Sequence, residues 1–382
     1  MKSKFLFSLL FSLIWGGIIA SQAATGNYAR QVNTLIGTKG VGLTSGYLYP
    51  GATYPYGMVQ FTPSYFSKRS GFVINQLSGG GCEHMGNFPT FPVKGKLEMS
   101  PDNILNYRIN VTEEQGHAGY YEAIVQEDIR AKLTVTERTG MANYEYPADL
   151  QYGTVIIGGG ISATPIEQAA VVITAPNKCE GYAEGGYFCG IRTPYKVYFV
   201  AEFDADALES GTWKRDELMP NTTFAEGEYS GVFFTFDVSR KKNIQYKIGI
   251  SYVSVENARE NLKVENTGWD FQQIQDQAEA RWNHYLGKIE VEGTNPDRTA
   301  QFYTHMYRSF IHPNVCSDVN GEYMGADYKV HKSRSKHYTS FSNWDTYRTQ
   351  IQLLSILDPE VASDIVISHQ LFAEQSGGVF PR

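Results

Sequence analysis

The chain has 382 residues, a formal net charge of −7 and only 19% charged residues, spread without a basic stripe, which argues against a nucleic-acid partner and leaves room for two domains. Its four cysteines form no C-x-x-C pattern and its histidines no H-E-x-x-H, so no zinc site is indicated. Aromatic residues reach 14% beside 37 glycines, a composition of many strands and tight turns that suits both an aromatic sheet core and the stacking of rings on pyranose faces.

Residues 1–23 read as a secretory signal peptide. Lys2 and Lys4 precede an apolar run over 5–20, and Ser21-Gln22-Ala23 offers small residues to a signal peptidase. The run is shorter than the roughly 20 residues a transmembrane span needs, and no later segment is long and apolar enough. The mature protein is therefore expected outside the cytoplasm, periplasmic or secreted, with no membrane span. In that oxidising setting Cys179 and Cys189, which bracket the Gly-rich residues 180–188, either close a short disulfide or remain free.

Residues 29–63 are too rich in glycine and proline for a helix and read as short strands and turns. They are a lead-in to a sheet or a loop across a site, with Tyr49, Tyr54 and Tyr56 beside glycines. Residues 78–92, SGGGCEHMGNFPTFP, put three glycines before Cys82, Glu83 and His84. This is a plain glycine turn with a buried cysteine, or a loop able to approach a ligand closely. A phosphate cradle does not fit, because neither a lysine nor a helix start follows.

Beyond Lys94 the pattern takes a period of two. Ala131, Leu133 and Val135 alternate with Lys132, Thr134 and Thr136, and the same alternation recurs around Phe199, Phe234 and Ile248. Strands at this density, with no helix between them, predict an antiparallel β-sandwich over residues 24–256. Residues 256–266 read as a short charged connection. A linker helix follows, with Asp270 and Gln273 as a capping box and Phe271, Ile274, Ala278, Trp282 and Tyr285 as its stripe, so that residues 257–292 join two domains. A brief strand is expected at 288–292.

Asn295-Pro296 caps the next helix, with Phe302, Met306 and Phe310 inward, and His312-Pro313 ends it. A hairpin is expected around Asn320-Gly321; its DVNGEY text lacks the third acidic position and the distal Glu of a calcium loop. Ser342 or Asn343 caps a helix with Tyr347, Ile351, Leu354 and Leu357 on one stripe. Asp358-Pro359 starts another, with His369 as a core residue, and Gly377-Gly378 stops it. Residues 293–382 thus begin an all-helical domain with too few helices to close a toroid, and the sequence reads as truncated.

Asp345 and Arg348 fall three apart, on one face near that helix's N-terminus. They are a dipole-stabilised carboxylate with an ion-pair partner, or a carboxylate and a guanidinium that hold two adjacent hydroxyls of one sugar ring beside Trp344. Such bonds discriminate strongly, since an unmatched sugar leaves a buried charge unpaired. No histidine pairs with a carboxylate at a suggestive spacing, and no serine nucleophile elbow occurs.

Several texts together resemble glycoside hydrolase family 92, the secreted calcium-dependent exo-acting α-mannosidases. They are VNTLIGT at 32–38, YPGATYPYGMVQFTP at 49–63, LSGGGC and NFPTFP within 77–92, ENARENL at 256–262, FYTHMYRS at 302–309, FSNWDTYRTQ at 341–350 and the closing GGVFPR. The resemblance runs from about residue 30 to 382. It implies a multidomain protein: an N-terminal β-sandwich, a linker helix, and the start of an (α/α)6 toroid. It implies an inverting hydrolase of terminal α-linked mannose in glycans, with carboxylates about 6.5–9.5 Å apart to admit water, and calcium as cofactor. Trp344 and Asp345 would line the terminal mannose subsite with Arg348 in support, and Tyr56, Gly57, Gly81 and Cys82 would approach from the sandwich. Gln76 stands where many members carry a histidine. The family's acid, base and main calcium ligands are implied beyond Arg382, so no catalytic residue is assigned and the chain alone is expected to be inactive. Two other readings are a non-catalytic carbohydrate-binding protein, and a hydrolase or phosphorylase of another sandwich-plus-toroid family.

Overall fold

The computed structural model describes residues 26–38, 47–64, 71–102, 104, 107 and 111–381; the signal-peptide expectation lies outside them. Period-two alternation sends every second side chain inward, and among the described residues two antiparallel sheets, of eight and nine strands, face one another. The nine-stranded sheet runs from Phe224–Glu226 through Ile166–Ala175, Lys178–Phe188, Ile191–Phe203, Asn243–Ser251, Thr139–Glu145, Ile129–Val135 and Tyr120–Val125 to Glu113–His117. Strands Thr90–Lys94, Tyr152–Ile157 and Ser230–Asp237 form the middle of the other. Phe61, Phe72, Tyr144, Phe203, Phe234 and Tyr246 are buried between them. The predicted sandwich is therefore present, and its inward residues are the ones the alternation names.

Six α-helices among the described residues follow: α1 (Val255–Glu265), α2 (Phe271–Leu286), α3 (Pro296–Ser309), α4 (Asn343–Thr346), α5 (Gln350–Leu357) and α6 (Pro359–Gln375). The α1 segment corrects the charged connection expected at 256–266. Ser254 accepts the Asn257 amide as a cap, Ala258 and Leu262 pack on Val200, and Asn257 and Asn261 face inward. Its inner face is partly amide, so apolar periodicity does not reveal it. Residues 288–292, expected as a strand, lie outside any strand. In α3 the deeper residues are Tyr303 and Tyr307 with Met306; Phe302 is only partly buried.

Asp318 to Gly321 make a turn, as predicted, but it leads into strand Glu322–Met324, whose hairpin partner is Val330–Lys332. Asp318 itself is buried and accepts from Ser251 Oγ at 2.7 Å, Asn257 Nδ2 at 2.8 Å and Asn261 Nδ2 at 2.6 Å. Its carboxylate is saturated by donors of the sandwich and α1.

The sandwich and the helices share two seams. One is aromatic: Tyr56, Trp282, Tyr285, Tyr307, Phe310 and Tyr338 form a second buried cluster, and Trp282 Nε1 donates to Thr53 O at 2.7 Å. The other is ionic. Arg138, in the turn between Ile129–Val135 and Thr139–Glu145, donates to Glu137 and Glu265 at 2.6 Å each and to Ser317 O at 2.7 Å. Lys336 closes on the other oxygen of Glu137.

Removing one member of a buried pair strands the other's charge at a cost of about 3–5 kcal/mol. Arg138→Met is accordingly expected to lower the free energy of unfolding by about that amount, read from urea titrations, whereas a loss under about 1 kcal/mol would mean the network is solvated. Glu137 sets a pH dependence. Burial opposes its ionisation, but Arg138 and Lys336 outweigh burial and hold its carboxyl below the usual value of 4.5. Its ion pairs therefore stabilise the fold above the unfolded-state value, and that stabilisation is lost as pH falls through the lower folded value. Melting temperatures measured down through pH 4 should fall more steeply in the native chain than in Glu137→Gln; parallel curves would contradict this.

Candidate functional site

The text FSNWDTYRTQ does not form one helix. It makes the single turn α4, a non-helical step at residues 347–349, and then α5, with Thr349 at φ 64°. A left-handed threonine cannot continue a helix, so the shared helical face expected for Asp345 and Arg348 is not formed. Asn343 fixes the turn from below: its Nδ2 donates to Pro381 O at 2.7 Å and its Oδ1 lies 3.0 Å from His369 Nε2, whose ring packs against Phe341. His369 is thus partly buried and serves this anchor. Above it Trp344 is 70% exposed. Asp345 is exposed, with Oδ2 accepting from Ser342 Oγ at 2.6 Å. Arg348 turns to its neighbour, Nε donating to Tyr347 Oη at 2.6 Å with the guanidinium 5.4 Å from that ring. The three predicted sugar contacts are therefore brought together on an exposed surface, with the carboxylate and the guanidinium held by separate partners.

From the sandwich side, Tyr56 and Gly57 part company. Tyr56 is 2% exposed, its ring edge-on to Tyr285, Phe310 and Tyr338 at 5.6 to 6.1 Å. Burial pushes its phenol far above the ordinary range. The side chain belongs to the seam. The Gly57 carbonyl accepts from Gln60 Nε2 at 2.9 Å and Asn314 Nδ2 at 2.8 Å. Gly81, at φ 69°, has open space where a side chain would be, and caps an exposed loop. His84 closes that loop, its Nε2 accepting from Leu77 N at 3.0 Å and its Nδ1 donating to Cys82 O at 2.6 Å.

Cys82 is bonded to Cys189, across 107 residues. A Cys179–Cys189 bond, one of the two outcomes left open for that pair, is excluded by the strand between them. Residues 180–188 are not a loop but most of strand Lys178–Phe188, which at about 3.3 Å per residue separates the two by roughly 30 Å. Cys179 faces the sandwich core and stays a thiol, as does buried Cys316. The disulfide ties the glycine loop to the tip of the Lys178–Phe188 and Ile191–Phe203 hairpin.

Two residues that sequence reasoning passed over hold these parts together. Asn314 binds Gly57 as above, and Gln350 Nε2 donates to Ser309 O at 3.0 Å and His312 O at 3.2 Å. The end of α3 thus joins Gly57 to the start of α5, two residues past Arg348. Apart from Gln350 lying in the FSNWDTYRTQ text, no local signal marks them. Among the described residues no three His, Cys, Asp or Glu side chains gather as a metal-binding set. An open groove of about 690 Å³, lined by Tyr323, His331, Lys332, Arg334, Glu374 and Gln375 among others, contains none of the predicted contacts.

Comparison with known proteins follows the same division. The glycosyl hydrolase family 92 N-terminal domain matches residues 31–251, and the glycosyl hydrolase family 92 catalytic domain matches residues 257–382. An uncharacterized secreted glycosidase of Arthroderma benhamiae is 26% identical over 384 residues, covering 89% of this chain and 48% of the relative. The structure of a family 92 α-mannosidase from Bacteroides thetaiotaomicron superposes with a TM-score of 0.85 at 25% identity, covering 94% of this chain and 51% of that one. The same enzyme in complex with mannoimidazole gives 0.84 at 25% identity, covering 94% and 50%. The chain thus spans about half the length of these relatives. No helix among the described residues is long and apolar enough to cross a membrane.

The disulfide assignment is checked by peptide mapping. Digestion without reductant should yield a linked pair containing Cys82 and Cys189, while Cys179 and Cys316 take up iodoacetamide only after denaturation. Recovery of a Cys179–Cys189 pair would overturn it.

Proposed function

The chain belongs to glycosyl hydrolase family 92, and on that footing we propose that it forms the sugar-recognising part of an exo-acting α-mannosidase, which removes terminal α-linked mannose from glycans with inversion. The observation that carries this reading is the exposed group Trp344, Asp345 and Arg348 on the helical part of a chain that superposes on a mannosidase whose structure holds mannoimidazole. The Trp344 ring offers a face for the C–H surface of a pyranose. Asp345 can accept from one hydroxyl and Arg348 donate to its neighbour, an arrangement that selects a sugar by its hydroxyl configuration. The glycine loop at 78–82 supplies backbone at close range without side-chain bulk.

Helix α2 is, in this proposal, the linker, and α3 to α6 are the first part of an (α/α)6 toroid. Support comes from α5 and α6, which leave Ile356 and Val366 77% and 66% exposed, as helices awaiting apolar neighbours do. Inversion requires a carboxylic acid on one side of the glycosidic bond and a carboxylate that activates water on the other. Neither is assigned: Asp345 is a hydroxyl ligand in this scheme, and the acid and the base are two further carboxyl groups. Calcium belongs to the proposal as a contact for sugar hydroxyls, but the described residues do not by themselves gather a calcium-binding set, and no step is routed through it. The proposed setting is extracytoplasmic, supported by the secreted relative and by the Cys82–Cys189 bond.

Calorimetric titration of mannoimidazole into the chain tests the recognition surface. Trp344→Ala and Asp345→Asn are each expected to weaken binding about tenfold or more; binding indifferent to both would remove the assignment. In the same preparation an aryl α-mannoside should not be turned over, with or without calcium. Measurable turnover would place the acid and base within these 382 residues.

A further inference from the structure

The turn after α3 carries a ring that none of the roles above uses. His312 Nδ1 lies 2.8 Å from Asn314 Oδ1, and its Nε2 lies 3.2 Å from the carbonyl oxygen of Ser78, at the root of the glycine loop. The Asn314 amide cannot be turned round. Its Nδ2 already donates to Gly57 O at 2.8 Å and Ile311 O at 3.1 Å, so Oδ1 is the atom that faces the ring. Nδ1 therefore carries a proton, and a neutral ring presents the Nε2 lone pair to a carbonyl lone pair. Only the imidazolium satisfies both oxygens. The His312 carbonyl meanwhile accepts from Gln350 at 3.2 Å. One residue touches the glycine loop through its ring and the start of α5 through its backbone.

We propose that His312 is a proton-operated latch: with Nε2 protonated it donates to Ser78 O and fixes the loop at 78–82 against the segment carrying Trp344, Asp345 and Arg348, and with Nε2 bare it releases that side of the loop. That the latched surface binds sugar rests on the reading above; the latch does not. His84 from the loop and Arg308 from α3 face the ring. Burial first, and then these two groups, disfavour the imidazolium against the help of Asn314 and Ser78, so the latch closes at pH below the ordinary histidine value of 6.5. His84 acts in the opposite sense. Its Nε2 accepts from Leu77, and protonation there breaks that bond and loosens the loop.

Hydrogen exchange on the whole chain, between about pH 5 and pH 7.5 and corrected for intrinsic rates, separates the two histidines. His312→Gln keeps a permanent amide donor toward Ser78 O, and His312→Phe keeps a ring without one; both retain His84. Protection of residues 77–84 in the native chain should pass from that of the Phe variant to that of the Gln variant as pH falls, a change of about tenfold. Strand Ile129–Val135 should be unchanged throughout and so report an intact fold. A native chain that tracks His312→Gln at every pH overturns the latch, and so does a Phe variant no looser than the Gln variant. Mannoimidazole added to the native chain is a separate arm: failure to bind there removes the sugar reading and leaves the exchange result to judge the latch.

Discussion

Arg138 cannot give up its proton, and the fold buries it. Its side chain is 7% exposed at the point where the sandwich meets α1 and the segment after α3. A lone guanidinium there would be prohibitively costly, so the surrounding elements must bring it anions and carbonyls. Glu137 comes from the same sheet turn, Glu265 from the last turn of α1, and Ser317 O from the helical region. Glu265 also accepts from Thr136 Oγ1 at 2.6 Å and from the Arg138 amide at 2.8 Å, so its carboxylate is satisfied twice over. The charge cannot be accommodated unless all three elements are docked, which couples the folding of α1 to the joining of the two domains.

The aromatic seam works with this network. Tyr56 N donates to Phe310 O, and Val315 N to Tyr56 O, both at 2.8 Å, so the sandwich turn is stitched by backbone into the end of α3. Arg308 reaches back to Thr34 O at 2.8 Å and Tyr49 O at 3.1 Å. Thr53 Oγ1 and Tyr307 Oη meet at 2.7 Å. These bonds run between segments some 250 residues apart in sequence, and they make the seam a continuation of the core.

What the sequence showed depended on whether a side chain's neighbours lie close along the chain. The strands were legible because alternation is local, and the caps of α2, α3 and α6 were legible because Asp270, Asn295 and Asp358 satisfy amides two or three residues on. Helix α1 was not, because Asn257 and Asn261 are turned inward by Asp318, about 60 residues later. The partner of Cys189 was not, because Cys82 is brought to it only by the stacking of sheet and loop. Trp344, Asp345 and Arg348 stand out in the text and are all exposed, but on a broken helix: the break is at Thr349, and Gln350, anchored to the end of α3, fixes the new start. Nothing in FSNWDTYRTQ encodes that anchor.

The same contrast bears on the site. The YPGATYPYGM text reads equally as a lead-in to a sheet or as a loop across a site, and its tyrosines Tyr49 and Tyr56 are buried, Tyr56 within the seam. What it contributes is rigidity, passed on through Gly57 O to Asn314. The surfaces left open are the ones with few internal restraints: Gly79 and Gly81, where an added side chain would meet nothing, and the turn from Trp344 to Arg348. Such segments are poor at holding position by themselves, since glycine loses the most freedom on ordering. Their geometry must be borrowed. The glycine loop borrows it from the disulfide to Cys189 and from His84, and the Trp344 turn from Asn343 and Gln350. One contact from each side meets at the turn after α3, where the His312 ring lies against Ser78 O and the His312 carbonyl accepts from Gln350. A surface built this way keeps bare backbone and an exposed ring open to solvent, while the work of placing them falls largely to the residues packed behind them.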